Sequence, residues 1–240
     1  MCGRYQLTLP LEAVREIFDV WNEAEAYPPR YNIAPTQPIH VVCASREGRT
    51  LILMRWGLLP SWLKDPQKFP LLINARSETA AEKPAFRNAL RRRRALIPAT
   101  GFYEWRKEGA AKQPYYFEPA GPMAFAGIWE AWTGPNGEEM DTAAILTAAA
   151  EGVPAQYHER MPLTIRQENF AAWLDPDQEN GADALKLTEK ASYAARPVSR
   201  RLSNARHEGV ALMEPDPEPA SASQENSAQE AEDEEQPSLF

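Results

Sequence analysis

Apolar residues along this chain recur in short runs rather than in long helical stripes. "IHVVCA" (39–44), "TLILMRW" (50–56), "PLLIN" (70–74), "RALIPA" (94–99), "PYYFE" (114–118), "MAFAGIWEAW" (123–132) and "TAAILTAA" (142–149) each read as strands. The turn signals "REGRT", "KEGAAKQP" and "TGPNGEE" separate several of them. A 3.6-residue period appears in "LPLEAVREIFDV", where Leu11, Val14 and Phe18 share a face and Pro10 stands at the entrance. It returns in "SETAAEKPAFRNALRR", which Pro84 interrupts, and in "RQENFAAWL" and "GADALKL". The expected fold is α+β: a single domain with a largely antiparallel, barrel-like β core and peripheral helices.

The pattern stops near residue 212. From Met213 onward the chain holds nine acidic residues and no Lys or Arg, and it lacks aliphatic or aromatic residues until Leu239 and Phe240. Residues 213–240 are therefore expected to form a disordered acidic tail behind a domain spanning 1–212. The tail also changes the meaning of the formal charge of −8. Without it, 26 basic residues face 25 acidic ones, so the body is near neutral and binds a polyanion only where its arginines gather. No run approaches the roughly 18 apolar residues of a membrane span, and no basic-then-apolar leader is visible, so a cytoplasmic protein is expected. Of two cysteines, Cys43 lies in an apolar β-branched run and reads as an inert core residue. Cys2 stands directly behind Met1 in "MCGRY". Their spacing suits no metal site, a reducing compartment argues against a disulfide, and no metal or other cofactor is expected.

Several polar residues sit in apolar or turn-rich surroundings: Asn74 and Arg76 in "INARSE", Glu104 in "IPATGFYEW", His158 and Arg160 in "YHERMP". Taken singly, each has an ordinary structural reading. Asn74 fits a turn cap, Glu104 a water-facing strand edge and His158 a hydrogen-bonded structural residue. "RRRR" (91–94) reads as a solvated helix face, and most of the seven tryptophans as core.

The combination is more specific than its parts. In order and spacing, "MCGRY", "RYNIAP", "RWGLLPSW", "INARSET", "IPATGFYEW", "HERMP" and "PVSRRLSNARHEG" resemble the SRAP family, named for SOS-response-associated peptidases, from Met1 to about Leu212. The resemblance implies recognition of abasic sites in single-stranded DNA and a covalent DNA–protein crosslink through an N-terminal cysteine. It assigns the nucleophile to Cys2, active-site support to Asn74, Glu104 and His158, and DNA contacts to Arg4, Arg76 and Arg160. Single-stranded DNA would offer its bases to aromatic faces, with Trp62 and Trp105 the expected ones. "HERMP" stands where "HDRMP" is usual, and Leu63 replaces a second aromatic found in some relatives.

The chemistry explains why the cysteine must come first. Removal of Met1 would leave an α-amine and a thiol on adjacent carbons. The amine condenses with the open-chain aldehyde of an abasic sugar, and the thiol then closes a five-membered thiazolidine. An α-amine near pKa 8 is about ten per cent neutral at pH 7, whereas a lysine near 10.4 is below roughly a tenth of a per cent. Two other classes fit the same residues: a cysteine peptidase or N-terminal-nucleophile hydrolase using Cys2, His158 and Asn74 or Glu104, and a non-catalytic binder of single-stranded DNA. The closing "QPSLF" resembles the peptide with which bacterial proteins dock on the replicative sliding clamp, through Gln236, Leu239 and Phe240. The protein is expected to be monomeric.

Overall fold

Five of the seven apolar runs pair with one another into a closed ring. The computed structural model describes residues 2–109 and 111–216. Its strands in chain order begin with β1 (Tyr5–Leu7), β2 (Arg30–Ile33), β3 (Pro38–Ala44), β4 (Arg49–Trp56), β5 (Asn74–Arg76), β6 (Arg94–Ala99) and β7 (Gly101–Glu108). They continue with β8 (Ala111–Pro119), β9 (Met123–Thr133), β10 (Glu139–Ala149), β11 (Arg160–Pro162), β12 (Thr164–Ile165), β13 (Thr188–Glu189) and β14 (Tyr193–Pro197). The ring runs β10–β4–β3–β6–β9 and back to β10, with every pairing antiparallel except β10–β4. Closure removes the free edges that long apolar strands would otherwise expose. The fold is α+β, a single domain built around this five-stranded barrel.

A second, five-stranded sheet has the order β14–β8–β7–β1–β2. It joins the barrel through Tyr5, whose fully buried ring meets Trp56 and Phe125 edge-on at 5.3 and 5.6 Å. The helices are short: α1 (Leu11–Phe18), α2 (Ser77–Ala80), α3 (Arg87–Arg92), α4 (Phe170–Leu174) and α5 (Gly181–Ala184). Helix α1 buries Leu11, Val14 and Phe18, the stripe its periodicity marks. Pro84 separates α2 from α3. Among the described residues no helix is long and apolar enough to cross a membrane.

Three expectations need correcting. "PLLIN" is not a strand along its length: Leu72 makes one isolated bridge to Leu58, Leu71 is exposed, and regular pairing starts only at Asn74. The backbone there serves other partners, since the Ile73 carbonyl accepts from the Trp56 indole at 2.9 Å. "RRRR" is not wholly solvated, because Arg94 starts β6 and is buried. Its guanidinium donates to the carbonyls of Leu90, Arg91, Trp173 and Asp175, which closes the end of α3 onto α4. Residues 213–216, expected in the tail, are tied to the body: Arg196 donates to the Met213 carbonyl at 2.6 Å, and Asp216 accepts from Ser199 Oγ at 2.6 Å and the Arg200 amide at 2.9 Å.

Candidate active site at the junction of the two sheets

Strand β10 outruns the barrel. Beyond its pairings with β4 and β9 it carries β5 on one edge, parallel, with Asn74 opposite Ile145 and Arg76 opposite Thr147. On its other edge it carries β11, antiparallel, with Arg160 opposite Ala149. The extension faces the second sheet where the chain enters β1. Asn74 from β5 thereby reaches Cys2, and His158 from the turn before β11 reaches Glu104 of β7.

Asn74 Nδ2 donates to the Cys2 carbonyl at 2.9 Å. Strand alternation puts Ala75 into the core and leaves Asn74 and Arg76 on the other face. Cys2 is fully buried, and its Sγ lies 3.9 Å from the Arg4 carbonyl. Burial, followed by the negative charge of Glu104, pushes the Cys2 thiol well above the ordinary range. Glu104 lies in β7 opposite Tyr115 and is itself buried. Burial raises its carboxyl above the usual carboxylate range, and nearby positive charge, including that of His158, opposes the rise. His158 is half-buried in the turn before β11. Its Nδ1 accepts from the Arg160 amide at 2.9 Å, so in the neutral ring the proton sits on Nε2. Asn74 and Glu104 thus meet Cys2, and His158 meets Glu104: a cysteine held at its carbonyl, a protonatable carboxyl beside it, and an imidazole beside the carboxyl.

The three expected DNA-binding arginines differ in exposure and in partners. Arg76 is exposed on the Asn74 face. Arg160 is buried, and its guanidinium grips Glu78 with two bonds of 2.6 and 2.8 Å while also donating to the Thr147 carbonyl at 2.6 Å. Arg4 donates to Asn32 Oδ1 at 2.6 Å and to the Leu202 carbonyl at 2.8 Å, and it lies 5.7 Å from the centre of the Trp105 ring. Trp105 is adjacent to Glu104 in β7 and so points to the opposite face; its indole donates to Ser203 Oγ at 3.0 Å. Trp62 is half-exposed and meets Phe69 edge-on at 5.7 Å, near a small cluster of Leu59, Leu63 and Trp132. Gln236, Leu239 and Phe240 lie outside the described residues. Among those described, no group of three or more His, Cys, Asp or Glu is arranged to hold a metal.

Residues 1–205 match the family described as SOS response associated peptidase (SRAP). The chain belongs to the SRAP family. Abasic site processing protein YoqW of Bacillus subtilis is 37% identical over 223 residues, spanning 89% of this chain and 99% of its own. Abasic site processing protein YedK of Escherichia coli is 30% identical over 226 residues, 90% of this chain and all of YedK. Abasic site processing protein HMCES of Xenopus tropicalis is 30% identical over 256 residues, 86% of this chain and 76% of HMCES. A crystal structure of a Bordetella bronchiseptica protein shares the fold, with 26% identity, a TM-score of 0.70 and coverage of 82% of this chain and all of that one.

Two residues of this SRAP chain that sequence reasoning passed over hold the site's surroundings. Asn32 is fully buried, and beyond accepting from Arg4 it donates to the carbonyls of Leu202, Asn204 and His207 at 3.2, 3.0 and 2.9 Å. Glu78 grips Arg160. Both lie inside quoted SRAP motifs, "RYNIAP" and "INARSET", so their positions were visible while their partners were not.

Proposed function

We propose that this SRAP protein recognises abasic sites in single-stranded DNA and captures them covalently through Cys2 once Met1 has been removed. The observation that carries this reading is that Asn74 holds the Cys2 carbonyl, Glu104 lies beside Cys2 and His158 beside Glu104, from three segments far apart in sequence. The α-amine of Cys2 adds to the C1′ aldehyde, and loss of water gives an imine. The thiol then adds to the imine carbon, its proton passing to nitrogen, and the thiazolidine closes. Each step moves protons, and a carboxyl that burial raises above the usual carboxylate range is suited to relay them. His158, with Nε2–H, donates to the sugar ring oxygen as it opens. Asn74 fixes the Cys2 carbonyl and so the direction in which amine and thiol are presented. A peptidase would need Cys2 as thiolate, and burial beside Glu104 works against that form. The names of the relatives support the substrate class.

Arg76 is the exposed arginine on the Asn74 face, suited to a phosphate, and Arg4 with Trp105 offers a cation and an aromatic face to the adjoining strand. The closing "QPSLF" would tether the protein to the sliding clamp. The test is incubation with single-stranded DNA bearing one abasic site, followed by denaturing electrophoresis and intact mass. A denaturation-resistant adduct that needs Cys2 and loss of Met1 is the expected result. A Cys2→Ala protein forming the same adduct would overturn the reading.

A further inference from the structure

The strongest ion pair near the site includes a residue to which the proposed chemistry gives no part. Glu78, in the first turn of α2, meets the Arg160 guanidinium end-on, Nη1 to Oε1 at 2.6 Å and Nη2 to Oε2 at 2.8 Å. The arginine side chain is only 10% exposed, against 49% for Glu78, so the carboxylate is the group that shields it from solvent. Arg160 Nη2 also donates to the Thr147 carbonyl, which ties α2, β10 and β11 together at one guanidinium. The hydrogen bonds from Arg160 hold the Glu78 carboxyl down at about 2, so the pair is fully charged at neutral pH.

The same Arg160 supplies the backbone N–H that His158 Nδ1 accepts. The turn carrying His158 is pinned at one end by its own amide on the Pro154 carbonyl, 3.0 Å, and at the other by Arg160. We propose that Glu78 is a positioning residue: by clamping Arg160 against β10 it keeps the Arg160 amide on His158 Nδ1 and so holds the imidazole as the Nε2–H tautomer. Without the carboxylate, a nearly buried guanidinium is left with donors unmet, which costs more than moving it. The side chain swings towards water and pulls on its own amide, against the pairing of β11 with β10 and the Glu159 carbonyl's bond from the Ala150 amide, 2.9 Å. Nδ1 then loses its donor, and the ring is free to carry its proton on either nitrogen.

The tautomer stands independently of the abasic-site reading, while the effect on rate rests on it. Long-range nitrogen–proton NMR correlation on histidine-labelled protein, recorded where the ring is neutral, distinguishes the two tautomers. The wild-type protein gives the Nε2–H pattern for His158, and Glu78→Ala gives a mixture. Glu78→Gln, which keeps an oxygen on Arg160, restores most of the wild-type pattern and decides the matter alone if Glu78→Ala fails to fold by showing a partial shift. On abasic single-stranded DNA, Glu78→Ala crosslinks about tenfold more slowly, with affinity for intact single strands unchanged within about twofold. A wild-type Nδ1–H pattern, an unshifted tautomer in both variants, or a shifted tautomer at wild-type rate would each overturn the proposal. A wild-type protein that forms no adduct would overturn the abasic-site reading instead, and the tautomer measurement would still decide the role of Glu78.

Discussion

Arg76 and Arg160 lie on the two short strands that flank the end of β10, one exposed and the other buried against Glu78. A phosphate reaching Arg160 must displace a carboxylate that already matches the guanidinium fork, whereas Arg76 is open to it. Arg76→Ala should therefore lower the slope of log affinity against log salt on single-stranded DNA by about 0.7, and Arg160→Ala should leave that slope unchanged. Arg160→Ala should instead cost about 2 kcal/mol of stability, because the Thr147 carbonyl loses its partner. Binding titrations across a salt series and urea melts separate the two effects. At Asn74 the single bond to the Cys2 carbonyl predicts a kinetic cost larger than the structural one. Asn74→Ala should slow adduct formation about tenfold while costing about 1 kcal/mol. Single-turnover rates beside melts would show this, and equal losses in both would make Asn74 merely structural.

The elements divide into those that announce themselves and those that do not. Strands β3, β6, β9 and β10 are legible because both of their faces are largely covered, so they read as apolar runs, and β4 reads as one although it leaves Leu53 exposed. Strands β1, β2, β7 and β14 are not, because they belong to the second sheet and carry mixed residues: β7 runs from buried Phe102 to exposed Arg106 and Lys107. Cys2, Asn74, Glu104 and His158 were legible only as motifs, through family resemblance. Glu78 and Asn32 escaped because their partners lie 82 and up to 175 residues away, beyond any local pattern. The segment from Ser199 to His207 shows the same dependence: besides its ties to Asp216, Gln113 and Trp105, its carbonyls at Leu202, Asn204 and His207 hang on Asn32, and Leu202 also on Arg4. Asn32→Ala should free its far end: trypsin should cut at Arg206 well before the body is attacked. Wild-type resistance in that variant would mean the segment is held by other contacts.

Across the whole molecule, acid should destabilise the fold in two stages. His40 is buried, with its ring 4.0 Å from that of Tyr27, and burial followed by the charge of Arg30 lowers its pKa from 6.5 to about 4. The unfolded chain takes up that proton first, so stability is full above about pH 6.5 and is lost as pH falls towards 4. The loss is on the order of 3 kcal/mol. Glu78, lowered from 4.5 to about 2, extends the decline below pH 4.5, and its exposure keeps that part small. Glu104, raised by burial, acts with the opposite sign and favours the fold at low pH. His40→Gln should flatten the upper stage, and denaturant melts at pH 7 and 4.5 would reveal it. An equally steep decline in that variant would place the titration elsewhere. The joining of the site by β10 also has a consequence in time. Cys2 leaves the ribosome at the start of synthesis, while His158 follows 156 residues later, roughly 8–30 s at ordinary elongation rates. On the proposed chemistry, the nascent chain carries its nucleophile through that interval without the groups that would direct it, and reactivity would begin when the barrel closes.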